Sequence, residues 1–230
     1  MPSTHRLPLR TVLPTAIGVL LAFGVTPAAA FPIVYTLTGT IDSVDSDLAA
    51  GAPPFAPGDD FLLTVEIDSD ATHVAVGGTG LQYFPMDAFS LTLAPTYVMA
   101  GDATDFTTHV NVFDDTQDAL QAFAQAFTTA TLPPDLGIFR PMQIFATLRD
   151  GAGATLSSTA LPTALDLADW TAEQSLQVVF REPGNLANQR SVFGTIDGLS
   201  VAVPEPALAW LLAPAALALG WARRPGRIGA

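Results

Sequence analysis

From residue 61 the side chains change face one by one. Phe61, Leu63, Val65 and Ile67 are apolar, and apart from Leu62 the residues between them, Thr64 and Glu66, are polar, as is Asp68 after them. A period of two places alternate side chains on opposite faces of an extended strand, one buried and one solvated. Phe89, Leu91 and Leu93 alternate with Ser90 and Thr92 in the same way. Residues 33–41 are rich in β-branched residues and Thr, and 110–113, 144–149, 176–181 and 191–201 complete a set of predicted strands. The breaks between them have turn chemistry, as in Gly51-Ala52-Pro53-Pro54, Gly77-Gly78-Thr79-Gly80, Asp150-Gly151-Ala152-Gly153 and Glu182-Pro183-Gly184-Asn185. Many short strands with polar breaks predict an all-β fold, an antiparallel β-sandwich or jelly roll forming a single domain.

Two stretches fit this scheme less directly. In residues 118–129, Phe123 and Phe127 stand at helical spacing, yet Leu120, Ala122, Ala124 and Ala126 also alternate, and a strand is the preferred reading. Residues 163–172 read as a short helical turn or an edge segment that packs Trp170 into the core. No repeat of fixed period is present.

Both ends of the chain differ from its middle. Arg6 and Arg10 precede an apolar stretch over 12–25, and Ala28, Ala29 and Ala30 supply small residues before Phe31. That order is the pattern of a secretory signal peptide over residues 1–30, cut after Ala30 by signal peptidase once the translocon has engaged it. At the other end, Val203-Pro204-Glu205-Pro206 leads into an apolar run over 207–222, followed by Arg223, Arg224 and Arg227. Sixteen residues at about 1.5 Å rise give roughly 24 Å of helix, slightly less than the ~30 Å hydrocarbon core. The arginines would hold the C-terminus in the cytoplasm. The prolines keep the approach to the membrane extended.

A Pro-Glu-Pro step, an apolar segment and a basic stop, in that order, resemble the PEP-CTERM sorting signal of Gram-negative bacteria. The resemblance covers residues 203–230. It implies transient anchoring by a transmembrane helix, then recognition and removal of the tail by an exosortase. Residues 35–44, the stretch Asn111-Val112-Phe113-Asp114-Asp115 and a last strand through Gly194-Thr195-Ile196-Asp197-Gly198-Leu199 are similar to other PEP-CTERM surface proteins. That similarity implies a β-domain over 31–202 and brings no activity with it.

Between the two signals the chain carries 21 acidic residues against four arginines, a net charge of −17, and it has no lysine. Nucleic acid is excluded as a partner on this balance, because nothing could replace the phosphate counterions. Cysteine is absent, so neither disulfides nor thiol chemistry supports an exported fold, which must rest on its apolar core.

Catalytic signatures are missing from the same stretch. His73 and His109 stand alone, no Gly-x-Ser-x-Gly elbow occurs, and the glycine-rich segments lack a following helix that could cradle phosphate. Aspartate forms the one constellation. Asp42, Asp45 and Asp47 follow the first strand, Asp68 and Asp70 close the second, and Asp114 and Asp115 follow another. Calcium takes six to eight oxygen ligands from flexible loops, so it is the ion such groups would suit, although the EF-hand pattern is missing. Asp is also a common turn former through its own backbone.

The expected function is therefore that of a non-enzymatic cell-surface or extracellular-matrix protein, delivered to the exopolysaccharide layer. A calcium-assisted carbohydrate-binding module is the alternative, with Trp170, Tyr83 and Tyr97 as the available platforms. An enzyme acting on polysaccharide, with Glu66, Glu173 and Glu182 as its candidate acids, is the third reading.

Overall fold

The structure is a computed structural model, and it describes residues 30–102, 104, 106–126 and 135–204. The described residues form eleven strands: β1 (Pro32–Val44), β2 (Asp60–Asp68), β3 (Thr72–Val76), β4 (Gly80–Phe84), β5 (Ala88–Leu93), β6 (Tyr97–Gly101), β7 (Phe106–Phe113), β8 (Asp118–Ala126), β9 (Arg140–Asp150), β10 (Glu173–Glu182) and β11 (Asn185–Ala202). Helix is confined to one turn, α1 (Ser46–Ala49), and a 3₁₀ turn at Leu167–Asp169. Among the described residues no helix is long and apolar enough to cross a membrane. The signal segment before Ala30, with Ala28, lies outside the described residues, as do Glu205, Pro206, Arg223, Arg224 and Arg227.

The strands form one antiparallel sheet in the order β3-β4-β7-β8-β9-β10-β11-β1-β2-β5-β6. Residues 118–126 form the preferred strand, residues 127–129 lying outside those described, and of the two readings left open for 163–172 the short helical turn is the one found, with Trp170 fully buried beside it. The sequence missed β3, β4 and β6. β3 is exposed at most positions and β6 (Tyr-Val-Met-Ala-Gly) has no polar alternation, so neither carries a period-two signal.

Curling of the sheet creates the core. Phe89 of β5 and Phe106 of β7 stand seven places apart in strand order, yet their rings meet edge to face at 4.6 Å. Tyr97 of β6 likewise reaches Phe180 of β10, at 6.2 Å. The inward positions of the two halves, such as Leu63 and Val65 against Ala124 and Ile144, therefore share one interior. Two register shifts in the β1–β11 ladder, between Thr38 and Gly39 and between Ile41 and Ser43, supply the local bending that a curled sheet needs. The Phe61 ring lies over Gly39 and Gly194 on the same ladders, where a Cβ on Gly194 would come within 2.9 Å of it. Glycine at both positions is what makes room for that ring.

A long connection, residues 151–172, packs against the core between β9 and β10. Trp170 is fully buried, and the Tyr35 and Tyr83 hydroxyls donate to the carbonyls of Pro162 and Thr159, both at 2.8 Å. Two buried aspartates, directly opposite each other on β8 and β9, hold its start. Asp118 accepts from the amides of Asp115 (3.2 Å) and Leu156 (2.7 Å). Asp150 accepts from those of Ala152 (3.0 Å) and Ala154 (2.9 Å), and these bonds hold its carboxyl below the usual range.

Candidate functional site

The exit of the chain from the domain is the first candidate. β11 runs antiparallel to β1, with Ala202 opposite Val34, so the last strand ends beside the start of the first. Val203 packs against the core and Pro204 is exposed. At the same end Phe31 is held by a two-way link to Ser69: its amide donates to the Ser69 hydroxyl at 3.2 Å, and its carbonyl accepts from the Ser69 amide at 2.9 Å. Ala30, one residue earlier, is exposed. Among the described residues, packing against the core thus runs from Phe31 to Val203, which flank the neighbouring strands β1 and β11.

The aspartates separate into different neighbourhoods. Asp42 accepts from the Thr195 hydroxyl at 2.8 Å on the outer face. Asp45 caps α1 by accepting from the Asp47 amide, and both carboxylates pair with Arg190, whose guanidinium also lies over the Phe139 ring at 5.2 Å. Asp68 stands opposite Pro32, at the far end of β1 from Asp42, with Asp70 beyond it. Exposed Asp87 is held above the usual carboxylate range by desolvation and by the charges of Asp68, Glu66 and Asp70. Asp115 accepts from the Thr79 hydroxyl (3.2 Å) and, through its other oxygen, from the Thr116 amide (2.7 Å), and Asp114 donates its amide to the Thr79 carbonyl. Among the described residues no three His, Asp or Glu side chains converge as a metal site would require.

An open cleft of about 700 Å³ lies over β1, β2 and β5, with Asp59, Asp60 and Asp197 beside Thr38, Leu62 and Pro95. Asp59 is committed to the Ala56 amide at 2.7 Å.

The aromatic side chains available as sugar platforms take the core positions that large rings favour. Trp170, Tyr83 and Tyr97 are all core residues, the most exposed of them at 6%. Burial drives the Tyr35 and Tyr97 hydroxyls far above their ordinary range. Outward-facing rings do exist, at positions the sequence analysis passed over. His109 of β7 stacks on Phe123 of β8 at 4.6 Å, and Phe123 meets Phe145 of β9 at 4.9 Å. They alternate with inward Val110, Ala124 and Ile144, so the period-two pattern itself marks them as outward.

No family model, no curated protein and no solved structure matches this chain.

Proposed function

We propose that the chain is an exported, non-enzymatic cell-surface or extracellular-matrix protein. In this reading the translocon carries it across the inner membrane and signal peptidase cuts after Ala30. The C-terminal helix anchors it for a time, and an exosortase acts at Val203-Pro204-Glu205-Pro206. The curled sheet serves as a jelly-roll-like sandwich domain between a signal helix and a transmembrane helix.

The observation that carries the reading is the position of Pro204. Pro204 is the first exposed residue after a strand still paired with β1, so a membrane enzyme would meet the motif that begins there without unfolding the domain. The neighbouring exits at Phe31 and Val203 let both membrane-directed segments leave one end of the sheet. A net charge of −17 suits a solvated domain beyond the membrane.

Mass spectrometry of the protein recovered from envelope and medium tests this. The expected species begins at Phe31 and lacks residues 207–230. Replacing Pro204-Glu205-Pro206 by three alanines is expected to leave the sheet folded and the tail uncut. Recovery from the cytoplasm with both ends intact would overturn the proposal.

A further inference from the structure

The outer face of β7–β11 has a composition unlike the rest of this chain. One cross-strand row runs His109, Phe123, Phe145, Gln177, Phe193, each residue directly opposite the next. A parallel row on one side reads Asn111, Gln121, Thr147, Ser175. On the other side, Gln125 stands opposite Gln143 and Gln143 opposite Val179, with Arg181 two residues further along β10, directly opposite Arg140. Five of the eight glutamines between residues 31 and 203 (Gln82, Gln121, Gln125, Gln143 and Gln177) stand on this face or on β4 beside it. No carboxylate stands in these rows, although the domain carries 21. Burial pulls the pKa of His109 down; the charges that border these rows are Arg181 with Arg140 opposite it at one end and the Arg149–Glu173 ion pair at the other.

The polar groups are held in place. Gln143 donates to the Gln125 carbonyl at 2.8 Å and accepts from Arg181 at 2.9 Å, while Gln177 donates to the Ser191 hydroxyl at 3.1 Å. Asn111 Oδ1 and Arg181 Nε are buried beneath this face without a hydrogen-bond partner. The rings brace one another, and Phe193 is 46% exposed. At β4 the row continues into an open groove of about 400 Å³ lined by Gln82, Phe84 and His109.

We infer that this face binds a neutral polysaccharide chain laid across strands β7 to β11. Aromatic rings offer apolar surface to the C–H faces of sugars, and fixed amides both donate to and accept from hydroxyls. Four strand-to-strand steps of about 4.8 Å give a row of roughly 19 Å, long enough for several linked sugars. The charge pattern selects the occupant. An acidic polymer would be repelled by a domain of −17, and three arginines at the borders of the face, one of them paired with Glu173, cannot hold nucleic acid or an anionic bilayer against that charge. A neutral chain has no charge to repel, and it needs the amide and hydroxyl partners that this face concentrates. The site stands whether or not the tail is processed.

The test uses the full-length chain in detergent micelles, run in native gels cast with hydroxyethylcellulose or with alginate, and titrated with cellohexaose by NMR. The expected result is retardation in hydroxyethylcellulose alone and cellohexaose-dependent shifts of resonances from β7–β11. Phe193→Ala with Gln177→Glu is expected to weaken binding at least tenfold. Gln121→Glu, which keeps the shape of the side chain, provides a second variant with little risk to folding. Leu62→Ser, on the outer face of β2, is expected to leave binding unchanged. Absence of retardation and of cellohexaose shifts would overturn the inference, as would equal retardation by alginate or binding unchanged in both face variants. Concentration-dependent self-association abolished by the same substitutions would overturn it in favour of an interface between copies.

Discussion

Replacing Asp118 by alanine tests how the long connection is held to the core. The carboxylate is fully buried and accepts from two backbone amides, Asp115 at 3.2 Å and Leu156 at 2.7 Å. Removing it leaves both N–H groups without an acceptor, at about 1–3 kcal/mol each, so roughly 2–6 kcal/mol together. Relief of the like charge of Asp150 directly across the ladder offsets this by only about 0.2–1 kcal/mol. For a domain of this size each kcal/mol moves Tm by about 2–4 °C, so a fall of roughly 5–15 °C is expected. Asp118→Asn keeps one acceptor and presents an amine to the other N–H, so its loss should be intermediate. Urea and thermal denaturation measure both variants, and limited proteolysis should show earlier cutting within residues 151–166. A loss below about 1 kcal/mol for the alanine variant would refute the reasoning, because an orphaned buried amide cannot cost so little.

Three further outcomes follow from the same physics. His109 is half-buried with its pKa lowered from 6.5, so its contribution is present above pH 6.5 and is lost as pH falls and the unfolded chain takes up the proton; His109→Gln is expected to flatten the change in urea midpoint between pH 7.5 and 5.5. Asp87 has the opposite effect for a carboxyl, since its raised pKa means that ionisation opposes folding; Asp87→Asn should raise Tm at pH 7, with the gain vanishing below about pH 4. Gly39→Ala would press a methyl group onto the Thr195 carbonyl and the Phe61 ring, at a cost of roughly 1–3 kcal/mol in denaturation.

The strands with a clean period were legible in the sequence because one face of each is buried. Phe61, Leu63, Val65 and Ile67 all point inward, and the polar residues between them do not. Curling was not legible, since it depends on register shifts at Thr38/Gly39 and Ile41/Ser43 and on the pairing of β11 with β1 across the whole chain. β3 was hidden for a related reason: an edge strand exposed on both faces has no buried side to impose a pattern. Trp170, Tyr83 and Tyr97 were legible as core residues, because large aromatic side chains bury readily, whereas the outward rings were not singled out. Burial followed topology, sending Tyr35, Tyr83 and Tyr97 inward and leaving Phe123, Phe145 and Phe193 on outward positions. The tail reading falls on residues outside those described, and the strand that leads towards it ends at Ala202.

The aspartates resembled cation loops because tight turns and calcium loops ask for the same thing, a short side-chain oxygen near the backbone. In this chain the turns use those oxygens. Asp45, Asp102, Asp150 and Asp166 each accept from an amide two residues ahead, Asp115 from the next residue and Asp59 from one three residues behind. A carboxylate that accepts from an amide has spent part of its coordination capacity and is fixed to its own loop. Much of the negative charge of the domain is therefore turn chemistry gathered at strand ends. That segregation has a consequence for the sheet: with aspartate serving the turns, the outward rows of β7–β11 could be filled by amides, hydroxyls and rings. A uniformly acidic surface would present the same repulsion in every direction, whereas the rows through His109 and Asn111 carry no carboxylate and Glu173 beside them is paired with Arg149, so an uncharged polymer can settle there.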